Sequence, residues 1–286
     1  MNYLYDGSFE GFLTCVFEHY YTEKADGVFR EDVYQLDLTR RAMSLQTDTK
    51  KASRVLTAVR QKISEWDAER IYRAHCTEEP AKEMNSLRYI ELGFRIGGRI
   101  RLLHGNSVVM AVEKAEKRLG NEVHRLLGLV RFSEKLISSA TTADGSETPS
   151  GTLGTASLYA EANASHLESG RVHSPIGAAR RILYSPIEPD NDCLEFMAPH
   201  FTDRLREEPF IIHDLRRGKA LAAYNRKWDI VELAADAALI ESVEEAMYSD
   251  LWRKYFGTMA IHERTNPVCQ RNLMPARYWK HITEMT

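Results

Sequence analysis

The first half of the chain repeats its hydrophobic residues with a helical period. Phe9, Phe12, Leu13, Val16, Phe17 and Tyr20 recur three and four apart, which predicts an amphipathic helix after a short strand at Tyr3-Leu4-Tyr5. Asp6 or Ser8 can cap it, and the helical spacing of its aromatics reads as core rather than as a base-stacking surface. Alternation at Val33, Gln35, Leu36, Asp37 and Leu38 allows a strand within Arg30 to Gln46. Thr49 to Ile63 places Val55, Leu56, Val59 and Ile63 on one side of a helix. Ser64-x-x-Asp67 then reads as a capping box for a second helix reaching about Cys76.

Pro80 opens a third helix running to about His104. Arg88, Arg95 and Arg99 form a stripe within about 40° on it, and most of its remaining circumference is apolar. That predicts a sandwiched helix whose arginines make internal salt bridges, with a phosphate-facing strip as the other reading. Gly93, Gly97 and Gly98 weaken the helix and point to a closely packed neighbour. A fourth helix spans Val108 to Leu127.

The period changes after this. Leu129 to Phe132, Ile182 to Ile187, Phe210 to Leu215 and Lys219 to Tyr224 read as strands, the last two as a hairpin around Arg216-Arg217-Gly218. Helices are predicted at Cys193 to Leu205 and about Ala237 to Phe256. These elements predict a single α+β domain over residues 1–286, mostly helical, with one small, mainly antiparallel sheet. Residues 137–179 are rich in Ser, Thr, Ala and Gly and read as a flexible insertion with no core of its own.

Composition narrows the function. Charged residues make up 28% and hydrophobic ones 43%, a globular balance. No apolar run approaches the roughly 20 residues of a membrane span, and the N-terminus lacks a signal-peptide pattern. Cys15, Cys76, Cys193 and Cys269 lie far apart, as expected of reduced thiols in the cytoplasm. A net charge of −3 means that any nucleic-acid contact would come from a local basic patch.

Candidate chemistry gathers around Asn121 to Glu134, NEVHRLLGLVRFSE, where a helix is expected to break at Gly128 and enter a strand carrying Arg131. The groups expected to meet there are Glu122, His124, Arg125, Arg131, His200, Asp203, Arg204, His213, Asp214 and Arg216. His200 and Arg204 are four apart on one helix face. His124 and His200 are the acid–base candidates. Glu122, Asp203, His213 and Asp214 read as a polar network, and no tight ligand pair such as H-x-x-x-H predicts a metal. From Trp252 onward six Lys/Arg face two acids, with Tyr255, Tyr278 and Trp279 among them. That pattern suits a nucleic-acid backbone with stacked bases, or an arm docked by its aromatic anchors. The nucleic-acid-binding candidates are Arg125, Arg131, Arg204, Arg216, Arg217, Arg264, Arg271, Arg277, Tyr278 and Trp279.

YDGSFEGFLTCVFEHY, VHRLLGLVRFSE, YSPIEPDND, APHFTDR, FIIHDLRRGKALAAY and HERTNPVCQRNLMPARYW occur in that order. Together they resemble a bacterial family of DNA metabolism or repair proteins with no assigned reaction. Its members are typically encoded beside a radical SAM protein, and some carry a uracil-DNA-glycosylase-type domain. The long Ser/Thr-rich insertion departs from that family's short connection. The resemblance implies a cytoplasmic accessory that binds DNA or a radical SAM partner and needs no cofactor. The partner would hold the iron–sulfur cluster, because this chain has no clustered cysteine triad, and any glycosylase activity would need another polypeptide. An enzyme acting on DNA or a nucleotide through His124 and His200 is the second expectation. An adaptor that never touches nucleic acid is the third.

Overall fold

Short polar side chains start the first three helices by taking up N–H groups that no helix turn can satisfy. Ser8 accepts from the Gly11 N–H at the start of α1 (Phe9–Tyr21), Asp48 from Lys50 and Lys51 at α2 (Thr49–Lys62), and Ser64 from Asp67 at α3 (Glu65–His75). The Ser64–Asp67 pair closes differently from a reciprocal box. The Ser64 hydroxyl donates to Asp67 Oδ2 at 2.5 Å, which leaves Oδ1 to accept from Tyr89 at 2.7 Å.

The computed structural model describes residues 1–35, 39–137, 180–234, 240–241 and 243–285. The predicted insertion therefore lies outside the described residues, apart from its first position. The chain divides into two compact units, Met1–Asn121 with Asp190–Asp192, and Glu122–Pro189 with Cys193–Thr286.

In the first unit β1 (Asn2–Tyr5) lies between β2 (Gly27–Arg30) and β3 (Ala42–Ser44), parallel to both. Tyr3, Tyr5, Phe12, Val16, Ile71, Leu87, Tyr89 and Ile90 fill the core beneath α1 to α3 and α4 (Lys82–Ile96). α4 stops short of the predicted His104. Gly97 takes φ +65 and the chain tightens into a 3-10 turn over Gly97–Leu102. The expected close neighbour is real: a Cβ on Gly93 would sit 2.2 Å from Ile63 Cδ1. The expected salt bridges of the arginine stripe are not found among the described residues. Arg88, Arg95 and Arg99 point to solvent without carboxylate partners. The helix is half covered rather than sandwiched, so its arginines keep their hydration. α5 (Ser107–Leu129) follows.

The second unit holds a six-stranded sheet ordered β8-β7-β6-β5-β4-β9. Its strands are β4 (Ser133–Ile137), β5 (Arg180–Ile187), β6 (Phe210–Asp214), β7 (Lys219–Tyr224), β8 (Lys227–Glu232) and β9 (Ile240–Glu241). β5 and β6 run parallel and the remaining neighbours antiparallel. This corrects the expected architecture. There are two sheets rather than one, an all-parallel one and a mixed one. The physical reason is connectivity: α1 joins β1 to β2 and α6 (Leu194–Arg204) joins β5 to β6, and such long connections allow parallel pairing where a tight turn would not.

Leu129 to Phe132 is not a strand. α5 runs through Gly128 to Leu129, and the Val130 N–H still bonds the Leu126 carbonyl at 3.0 Å. The apolar run LLGLV is thus a helix end, and Arg131 precedes the strand instead of lying in it. The hairpin around Gly218 forms as predicted, with φ +63 at the glycine. A second hairpin turns at Asn225 and Arg226, both at positive φ, and adds β8.

α7 (Val243–Met259) and α8 (Pro267–Leu273) complete the chain with 3-10 turns at Ala276–His281 and Thr283–Met285. Asn266 caps α8 through the Cys269 N–H. The four cysteines are thiols rather than disulfides; Cys15 and Cys193 are buried and Cys269 is exposed. Among the described residues no helix is long and apolar enough to cross a membrane.

Candidate nucleic-acid interface

The predicted site residues fall into three hydrogen-bonded arrangements and one solvent-facing set, all in the second unit. In the first arrangement Glu122 is buried on α5. Its Oε1 accepts from the Tyr278 hydroxyl at 2.5 Å, with an Arg277 nitrogen 3.6 Å away and the Cys193 thiol 3.9 Å from Oε2. Burial, reinforced by this carboxylate, pushes the Tyr278 phenol well above its usual range. Tyr278 is thereby an anchor rather than a stacking platform. Trp279 beside it is half-buried, and its indole N–H donates to the Met274 carbonyl at 2.9 Å.

The second arrangement lies on β6. His213 is 1% exposed, with Nδ1 2.9 Å from the Tyr184 hydroxyl and Nε2 3.0 Å from the Leu233 carbonyl. Only Nε2 can donate to a carbonyl, so the neutral ring accepts from Tyr184 at Nδ1. Burial holds its pKa below the ordinary value. Asp214 is fully buried and turns the hairpin: it accepts from the N–H groups of Arg216 and Arg217 and from the Arg217 guanidinium at 3.0 Å. Burial raises its pKa despite that cation. Arg217 also donates to the Pro189 carbonyl, while Arg216 is exposed.

In the third, Arg131 grips Glu284 at 2.7 Å, and the Trp252 indole donates to the same carboxylate at 3.1 Å. Burial pulls Glu284 upward, but those hydrogen bonds outweigh it and its pKa lies below the usual range.

The solvent-facing set contains both acid–base candidates. His124 and Arg125 are exposed on α5, and His200, Asp203 and Arg204 on α6. His200 packs edge-on against Phe201, with ring centroids 5.0 Å apart. Among the described residues neither imidazole has a hydrogen-bond partner to fix its tautomer. Asp203 pairs with Arg206 rather than with either histidine. No group of three or more His, Cys, Asp and Glu among the described residues could hold a metal ion.

The C-terminal segment is different in character. Tyr248, Leu251, Trp252, Tyr255, Phe256 and Met259 are all exposed, from 43% to 62%. At 100° per residue these six fall within about 140° of one another on α7. Trp252 and Tyr255 are stacked, with centroids 5.7 Å apart and planes at 30°. Arg264 and Arg271 are exposed and have no carboxylate partner among the described residues. Sequence reading picked out the cations and Tyr255 here but missed the open apolar face as a unit. Its signal was available, since 248, 252, 255 and 259 are helical neighbours.

Residues 173–284 match the model of a domain of unknown function, DUF4130. The match takes in β5 to β9, α6 to α8 and the predicted basic segment. No curated protein matches the chain. No solved structure matches it either.

Proposed function

We propose that this protein is a nucleic-acid-binding accessory in DNA metabolism that works beside a radical SAM repair or modification protein. The observation that carries the reading is the open aromatic face of α7 with exposed cations on the same C-terminal segment. Base stacking on an exposed ring contributes about 1–3 kcal/mol per base and needs no sequence match. Unpaired arginines supply the phosphate contacts. A net charge of −3 does not oppose this, because the cations are local. The radical SAM partner and the DNA context come from the motif resemblance alone.

The catalytic alternative has less support. A general base works when a neighbour orients it, and His124 and His200 stand in solvent without one. Retardation of short single-stranded and duplex DNA, followed across salt concentrations, tests the reading. Binding should weaken steeply with salt, and a Trp252→Ala/Tyr255→Ala variant should bind single strands about tenfold more weakly or worse. No retardation at low salt would leave the adaptor reading, with the α7 face serving a protein partner.

A further inference from the structure

We infer that a groove in the first unit, between α1, α2 and α4, is a nucleotide subsite for single-stranded nucleic acid. The base would lie against its ring faces and the phosphate would meet Arg54 and Lys62. This rests on the nucleic-acid reading above but uses a different surface. The groove has a volume of about 420 Å³ and its walls include Phe17, Tyr20, Tyr21, Arg54, Lys62 and Phe94. That is within the usual size range of small-molecule sites.

One side of α1 is core, with Phe12, Leu13 and Val16 buried. Tyr20, which sequence alone reads as core, turns the other way and is 46% exposed, and Tyr21 beside it is 62% exposed. On α2, Arg54, Ala58 and Lys62 recur every four residues and so share one face, with a small side chain between two cations.

What marks the groove is how those cations are held. Arg54 sits 5.7 Å from the Phe17 ring centre and 5.1 Å from that of Tyr21, and donates to the Tyr21 hydroxyl at 3.0 Å. Lys62 lies 5.2 Å from the centre of Phe94. Among the described residues neither has a carboxylate partner. Lys51, one helical turn away, shows the contrast, because Glu18 takes its charge at 2.7 Å. The other charged groups near the rings are Glu91, which binds His19 at 3.0 Å, and exposed Arg95, which acts on Tyr20. Two unneutralised cations laid on flat apolar walls fit a ligand whose own flat ring adjoins an anion. A nucleotide has that chemistry. Stacking also requires bases that are not paired, which selects a single strand over a duplex.

Fluorescence anisotropy of a labelled oligothymidylate on the full chain tests this, with the corresponding duplex and free dTMP as competitors. Arg54→Gln/Lys62→Gln should weaken single-strand binding about tenfold or more and lower the salt slope by about 1.4. Tyr21→Ala should weaken binding without changing the slope. Arg60→Gln, on the same helix but paired with Glu65 at 3.0 Å, should have no such effect. Unchanged thermal unfolding would establish that the variants are folded, and Arg54→Lys should recover part of the binding.

If the wild-type chain binds strands and both groove variants bind equally well, the subsite is wrong and the broader reading stands. If the wild-type chain binds no oligonucleotide, both fall. Competition by dTMP as effective as by the strand would overturn the strand as occupant.

Discussion

Glu122 belongs to the stretch where sequence reading expects a site, and its partners give it a structural role. A buried carboxylate that accepts the Tyr278 proton and neighbours Arg277 ties the end of α5 to the C-terminal segment. Removing it leaves the buried hydroxyl, which still accepts from Arg277 at 2.9 Å, with nothing to donate to, at a cost of about 1–3 kcal/mol, whereas removing the hydroxyl leaves the carboxylate its cation. Urea denaturation should therefore find Glu122→Ala more destabilising than Tyr278→Phe; the reverse order would refute the role. Residue types were legible in the sequence here and their duties were not. Of the polar network expected of Glu122, Asp203, His213 and Asp214, Asp203 is exposed and pairs with Arg206, while the other three have the partners Tyr278, Tyr184 and Arg217, which are 156, 29 and 3 positions away. No spacing rule links the first two pairs.

Among the elements, helices were read more closely than strands. Caps and periodicity placed α2 and α3 nearly to the residue, and α6 was placed as closely without a cap, because those signals are local. The strand expected at Leu129 to Phe132 failed because a short apolar run fits either state, and a long helix tolerates Gly128 at a cost of about 1 kcal/mol. β8 was missed because its turn uses Asn225-Arg226 rather than a glycine-bearing pair.

Two glycines separate packing from propensity. At Gly93 a methyl group would press on Ile63, an overpacking cost of about 1–3 kcal/mol against a propensity gain of about 1 kcal/mol. At Gly120, inside α5, a built Cβ meets nothing within 4 Å, so only the gain remains. Gly93→Ala should lower the melting temperature and Gly120→Ala should raise it. A rise for both would mean that Ile63 yields without cost.

For the molecule as a whole, stability should depend on acidity in a definite sense. His75 is ringed by Tyr5, Phe9 and Phe12 at centroid distances of 6.1, 5.4 and 5.8 Å. Burial, aided by the Lys82 charge, lowers its pKa from 6.5 to about 3. His213 is shifted the same way by burial. Both histidines take up protons more readily in the unfolded chain. Their contribution is thus complete above about pH 6.5 and is lost as pH falls toward the folded values. Between about pH 6.5 and 5.5, above the range where most carboxylates titrate, denaturation midpoints should fall as acid is added. Each histidine contributes at most about 1.4 kcal/mol per pH unit. His75→Phe should make that decline shallower, and an unchanged slope would refute the assignment.

Thiol chemistry offers a handle on the C-terminal segment. Burial drives the Cys15 thiol up to about 12, so it stays protonated and shielded, and Cys193 is equally enclosed. Cys269, on α8 between Arg264 and Arg271, lies open to reagent. A maleimide dye added to the native protein should attach there first. It would place a fluorophore on the basic segment, where an arriving ligand would change its emission.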